Sequence, residues 1–232
     1  MKRLYSVLWA TVVGVAVHVA PARAGLCAPQ TVFICAGLQN QLNTLGESID
    51  VLTQQHEGLV WATNASSNTT MSIMFQLAGN PNQDEFGIVG LNAVGSLSGL
   101  CAVFPAGGFN TGYFAVASFR SGDKLTVNLF DASASVINTT TFTGVDRSRF
   151  MYYVKNSNGT FFSHMGYNPD RKVHSLVFAG TNLNQGSWWM AWEDSMDPGA
   201  TADFGDGLMF LGALNPSPVS HATWASVKAR FR

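Results

Sequence analysis

A chain of 232 residues with 47% apolar and only 12% charged side chains carries enough hydrophobic material for one sizeable core, which excludes intrinsic disorder. Its formal charge is −1, and Lys2, Arg3 and Arg23 in the N-terminal segment supply three of its thirteen basic residues, so ten remain against fourteen acidic ones. That balance excludes a nucleic-acid-binding face of the usual basic kind. The remaining positive charge is confined to the block from Arg120 to Lys172 and the last five residues, so two acidic stretches flank one basic one.

Lys2 and Arg3 precede an apolar run from Leu4 to Val19, and Ala22-Arg23-Ala24 places small residues where a signal peptidase cuts. Residues 1–24 therefore read as a signal peptide, and the mature chain is expected to begin at Gly25 and to be secreted. No second apolar span follows, so the mature chain is expected to have no transmembrane anchor. Three cysteines would reach an oxidising compartment, and Cys27 and Cys35 are the natural disulfide pair, closing a short loop over the N-terminus. Cys101 then remains as a small buried hydrophobe or a thiol for another chain. Pairing of Cys101 with Cys35 is the alternative.

Leu38, Leu42, Leu45, Ile49 and Leu52 recur at helical steps, which predicts one amphipathic helix within an N-terminal loop-and-helix segment, 25–60, packed on the core. Gly46 is the weak point of that helix. From Trp61 the pattern changes to short apolar, β-branched runs: Met71–Leu77, Phe86–Val89, Gly112–Phe119, Leu125–Phe130, Val136–Phe142, Met151–Val154, Thr160–His164, Val173–Phe178, Trp188–Trp192, Leu208–Leu214 and Thr223–Val227. Turn sequences such as AGNPNQDE, RSGDK, KNSNG and GYNPDRK separate them. Ten or eleven short strands with no βαβ alternation predict an all-β fold, a jelly-roll-like β-sandwich over 61–232. Sequons at Asn64, Asn68, Asn138 and Asn158 point to exposed turns.

The most unusual stretch runs from Trp188 to Leu214 and holds five of the fourteen acidic residues, Glu193, Asp194, Asp197, Asp203 and Asp206, with no Lys or Arg. Carboxylates crowded between two apolar strands repel one another. A calcium ion, which takes six to eight oxygen ligands in flexible geometry, relieves that repulsion, and so does solvation of an ordinary wet loop. The candidate metal ligands are Glu193, Asp194, Asp203 and Asp206 at the strand ends, joined by Asn168 and Asp170 if the NPD turn lies beside them. His164 and His174 flank that turn. Neither has a Ser or Cys nucleophile motif nearby, so His174 is expected to make a structural hydrogen bond across the turn. Trp188 and Trp192 share one face of their strand and Trp189 takes the other.

Three stretches carry a family likeness: TTMSIMFQLAGNPNQDEFGIV from Thr69, FFSHMGYNPDRKVHSLVFAG from Phe161, and the pair Trp192-Glu193-Asp194 with Asp203-Phe204-Gly205-Asp206. Together they resemble domain-of-unknown-function family 4114, a β-rich module of exported bacterial proteins. The resemblance implies an all-β fold and export, and it implies no reaction. Two oxygen-bearing positions of the family pattern are replaced here, by Thr201 and Gly205.

These observations together predict a secreted, non-catalytic structural or adhesive module, stabilised by calcium, with a cell-surface or matrix glycan or protein as its partner. A calcium-dependent carbohydrate-binding module is the alternative, with an exposed Trp stacking on sugar. A glycoside hydrolase with Glu193 as acid and Asp203 or Asp206 as its partner is the third reading.

Overall fold

The computed structural model describes residues 36–57, 60–63, 69–78, 84–107, 113–196, 204–212 and 214–216. The expected signal peptide, the Cys27 to Cys35 bond, Asp197, Thr201, Asp203, the sequons at Asn64 and Asn68 and the strand from Thr223 to Val227 lie outside those residues.

One helix, α1 (Ala36–Thr44), precedes the strands β1 (His56–Glu57), β2 (Trp61–Thr63), β3 (Thr69–Ala78), β4 (Glu85–Leu91), β5 (Leu97–Phe104), β6 (Phe114–Arg120) and β7 (Lys124–Phe130). There follow β8 (Val136–Thr143), β9 (Phe150–Asn156), β10 (Gly159–Phe162), β11 (Ser175–Ala179), β12 (Trp188–Trp192), β13 (Gly207–Leu211) and β14 (Leu214–Pro216). They build two antiparallel sheets. Eight strands run in the order β1-β11-β12-β13-β3-β6-β7-β8, and the second sheet runs β14-β2-β9-β4-β5 with β10 also paired to β9. The expectation of an all-β, sandwich-like fold holds.

Inward-facing residues of the two sheets meet in one core. Val177, Met190, Trp192, Met209, Phe119, Leu125 and Val127 come from the first sheet, and Trp61, Phe86, Ile88, Val103, Phe150 and Tyr152 from the second. Period-two alternation explains β7, whose Leu125, Val127 and Leu129 point inward while the residues between them do not. It fails to flag β5, the run LSGLCAVF, because glycine and serine interrupt it and its register against β4 shifts twice. β1 and β2 are too short, at two and three residues, to leave a periodic signal. Cys101 is a free, buried thiol in this core, and burial pushes it up to about 12. Asn158 lies on an exposed turn as expected, whereas Asn138 lies within β8, on an exposed strand position.

The long helix read from the leucine spacing is a correction. α1 stops at Thr44, and Gly46 takes φ of 80° while the Glu47 N–H reaches back to the Leu42 carbonyl at 3.0 Å and the Gly46 N–H to Asn43 at 3.0 Å. This is a glycine-terminated Schellman end, which the glycine permits and a side chain would strain. Leu38 and Leu42 are buried from the helix and Ile49 and Val51 from the loop after it, whereas Leu45 and Leu52 are exposed. All four buried residues cover the outer face of β11, β12 and β13, against Leu176, Phe178, Trp189 and Leu208. β12 is thus buried on both faces.

Glu47 fastens this segment to the sheet. It is 5% exposed. Its Oε1 accepts from Asn184 Nδ2 at 2.6 Å and Trp189 Nε1 at 2.7 Å, and its Oε2 accepts from the Thr181 N–H at 2.6 Å and the Thr181 hydroxyl. Burial pushes its carboxyl up, but the bonds from Thr181, Asn184 and Trp189 together outweigh that and hold it below the usual carboxylate range. Replacing it by Ala strands four donors, a buried one on Trp189 and half-buried ones on Thr181 and Asn184. Glu47→Ala is expected to cost about 3 kcal/mol in urea unfolding, with Glu47→Gln intermediate, since the amide keeps one acceptor and turns a donor toward donors. A cost below about 1 kcal/mol would contradict the clamp.

Candidate cation site at the end of strands β12 and β13

β12 and β13 are antiparallel neighbours with Trp192 opposite Gly207, so the residues after the one strand and before the other emerge side by side. The Asp206 N–H bonds the Trp192 carbonyl at 3.2 Å, and the Glu193 N–H bonds the His174 carbonyl at 3.0 Å, continuing both ladders one residue beyond the strands. The Asp194 N–H then donates to Asp206 Oδ2 at 3.0 Å. Phe204 holds the incoming chain. Its ring is 1% exposed against the α1-covered face, and its φ of 52° is a left-handed conformation uncommon for an aromatic residue.

The result is three carboxylates, Glu193, Asp194 and Asp206, with oxygens within 4.8 Å of one another. Glu193 is buried and the other two are half-buried. Ser195 donates its hydroxyl to Glu193 Oε1. From the second sheet, Asn156 Nδ2 donates to Asp194 Oδ2 at 2.9 Å and to the Asp194 carbonyl at 3.2 Å. Asp84, just before β4, lines a cavity of about 10 Å³ with Asp194, Asp206, Trp192 and Gly207. Burial pushes the Asp194 carboxyl above its ordinary range, and the charge of Asp84 adds to this while the Asn156 amide opposes it. Burial raises Asp206 too. Repulsion from Asp194 acts in the same sense, against the hydrogen bond from the Asp194 N–H.

The remaining sequence candidates sit elsewhere in the network. Asn168 is buried and fully engaged: Oδ1 accepts from the Phe162 N–H at 2.6 Å, and Nδ2 donates to the carbonyls of Phe162 at 3.2 Å and Lys172 at 2.8 Å. It shapes the turn after β10. Asp170 is paired with His174, whose Nε2 lies 2.9 Å from Oδ2 and 3.1 Å from Oδ1. The other ring nitrogen, Nδ1, lies 2.9 Å from the Glu193 carbonyl, and the ring stacks on Phe161 with centroids 4.2 Å apart. His174 thus makes the expected structural bond across its turn and joins that turn to the backbone of the acidic cluster. Gly205 sits half-buried between Phe204 and Asp206 and offers no side-chain oxygen.

Two members of this neighbourhood escaped the sequence. Asp84 falls in the sequence AGNPNQDE, which reads only as a reversal, and Asn156 belongs to a sequon-like run; nothing in the linear pattern ties either to residue 194. The tryptophans fall on the faces expected, with Trp188 and Trp192 toward the inter-sheet core and Trp189 toward α1. Trp189 and Trp192 are both buried, and the cavity at the carboxylates is far smaller than the hundreds of cubic ångströms that hold a small-molecule ligand. Among the described residues no helix is long and apolar enough to cross a membrane.

Fold and site together define an all-β, two-sheet protein with an acidic cluster where a buried strand pair ends. A scan against family models finds no match to this chain, and a search of the curated proteins finds none either.

The raised carboxyls give a sign to the pH dependence of the ion-free protein. Asp194 and Asp206 hold their protons more tightly folded than unfolded, so their contribution to stability is full below the ordinary carboxylate range. It is lost as pH rises through the raised folded values. In excess chelator, Asp194→Asn should therefore melt above the unsubstituted protein at pH 7, with the gap closing toward about pH 4. A gap independent of pH, or of opposite sign, would contradict the electrostatic tension described.

Proposed function

We propose that this chain is a secreted, non-catalytic structural or adhesive β-sandwich module, stabilised by calcium at the joined ends of β12 and β13. The observation that carries the reading is the convergence of Glu193, Asp194 and Asp206 within 4.8 Å, two of them raised by burial and by a neighbouring carboxylate. An oxygen-ligated divalent cation suits that donor set, since it lowers the cost of holding such groups ionised and close. Glu193, Asp194 and Asp206 would hold the ion from the first sheet. Asp84 stands on the second, so the ion would tie one sheet to the other. Asp203, which directly precedes Phe204 in the sequence, remains a ligand candidate. The resemblance to family 4114 and the N-terminal leader pattern support export. A partner on the cell surface or in a matrix, glycan or protein, fits that placement.

The role of the ion is thermodynamic: it binds the folded state, where the carboxylates are gathered, far better than the unfolded chain, where they are apart. Calcium at a hundredfold excess over its Kd is expected to stabilise by about 2.7 kcal/mol, roughly 5–10 °C in the melting midpoint for a chain of this size. Calorimetry in chelator and then in millimolar calcium checks this, with the Asp194→Asn, Asp206→Asn double variant as control. Identical midpoints for the unsubstituted protein, or an equal shift in the double variant, would overturn the calcium reading.

A further inference from the structure

Strand β8 is the far edge of the eight-stranded sheet, five strands from β12. Six of its eight residues are exposed and only Thr140 and Phe142 are half-buried, whereas β7 beside it alternates buried and open positions. Phe142 packs against the inter-sheet core, and the rest of β8 lies largely open to solvent, on its outer face and along its edge. Val136 and Ile137 are 55% and 45% exposed on it.

Native sheets guard such edges with short strands, charge, proline or bulges. The other edges among the described residues follow that rule: β1 has two residues, β14 three and β10 four, and β5 shifts register twice against its neighbour. β8 does not. Its sequence VINTTTFT contains no charged residue, proline or glycine. Its single register shift against β7 falls near Val136, so Asn138–Thr143 makes six consecutive regular pairs. A straight row of outward main-chain donors and acceptors fits one kind of occupant, another extended strand.

We propose that this occupant is β8 of a second copy, paired antiparallel about a two-fold axis to make one continuous sheet across a dimer. Charge selects the copy. A two-fold axis sets the strand against itself, so any charge on it would meet its like, and β8 has none. The axis also keeps each side chain on its own face. Centred on Thr140, it places Thr139 opposite the partner's Thr141 on the outer face, a favourable cross-strand combination, and Asn138 opposite the partner's Phe142 on the other. With no ionic group, β8 has nothing to select a charged peptide instead.

Analytical ultracentrifugation of the purified protein over a hundredfold concentration range tests this, with two double variants that read the register. Thr139→Lys with Thr141→Lys sets like charges opposite across the axis and should weaken the dimer at least tenfold. Thr139→Lys with Thr141→Glu sets opposite charges there and should restore it to within about threefold of the unsubstituted protein. Circular dichroism confirms that each variant is folded, and the reversed pairs at the same positions, Thr139→Glu with Thr141→Glu for like charges and Thr139→Glu with Thr141→Lys for opposite ones, replace either that is not. A monomer at every concentration, or equal weakening by both charge pairs, would overturn the proposal. So would a fall in thermal midpoint without any change in association, which would place another part of the same chain on this edge. Loss of binding to a different protein, with self-association absent, would assign the edge to a foreign strand and equally overturn it.

Discussion

Strand β12 is covered on both faces, and the rest of the molecule follows from that constraint. Met190 and Trp192 fill the space between the sheets, while Trp189 and Ala191 lie under α1 and the loop after it. A strand buried this way cannot slip, because a one-residue shift would exchange its two apolar faces and break the Trp189 bond to Glu47. Its register against β13 is equally fixed, and that register brings Glu193 and Asp194 beside Asp206. The acidic cluster is a consequence of apolar packing, imposed on groups that repel.

Two anionic features, the buried Glu47 and the half-buried Asp194 and Asp206, are handled in opposite ways. Glu47 is surrounded by neutral donors from Thr181, Asn184 and Trp189, which spread its charge over four hydrogen bonds and hold it ionised. Asp194 and Asp206 are instead pushed toward the protonated state by burial and by other carboxylates. The first is a finished structural joint. The second keeps an electrostatic cost that a divalent cation would offset, and that contrast distinguishes the cluster from a merely acidic surface. The His174 ring extends the same neighbourhood, linking the Asp170 turn to the Glu193 backbone.

Much of this was legible in the residues. Alternation and turn chemistry located most strands, the facing of the three tryptophans followed from period two, and the acidic residues were expected at the ends of the two flanking strands, where Glu193, Asp194 and Asp206 lie. What failed did so for physical reasons. The leucine spacing of a long helix continued through Gly46, where the backbone turns left-handed, so Ile49 reaches the same face from a loop. β5 escaped because register shifts and small residues erase its period. Asp84, Asn156 and Glu47 were invisible as partners because each acts across a sheet-to-sheet or loop-to-strand contact that no local spacing encodes. Asn168 and Asp170 have ligand chemistry, yet their polar atoms are engaged in shaping the turn and holding His174.

Elemental analysis of the protein purified without chelator from calcium-containing medium tests the proposed cation at the end of β12 and β13 most directly. About one calcium per chain is expected, reduced to background in the Asp194→Asn, Asp206→Asn variant. A folded protein with no bound divalent metal, or the same calcium content in the variant, would contradict it.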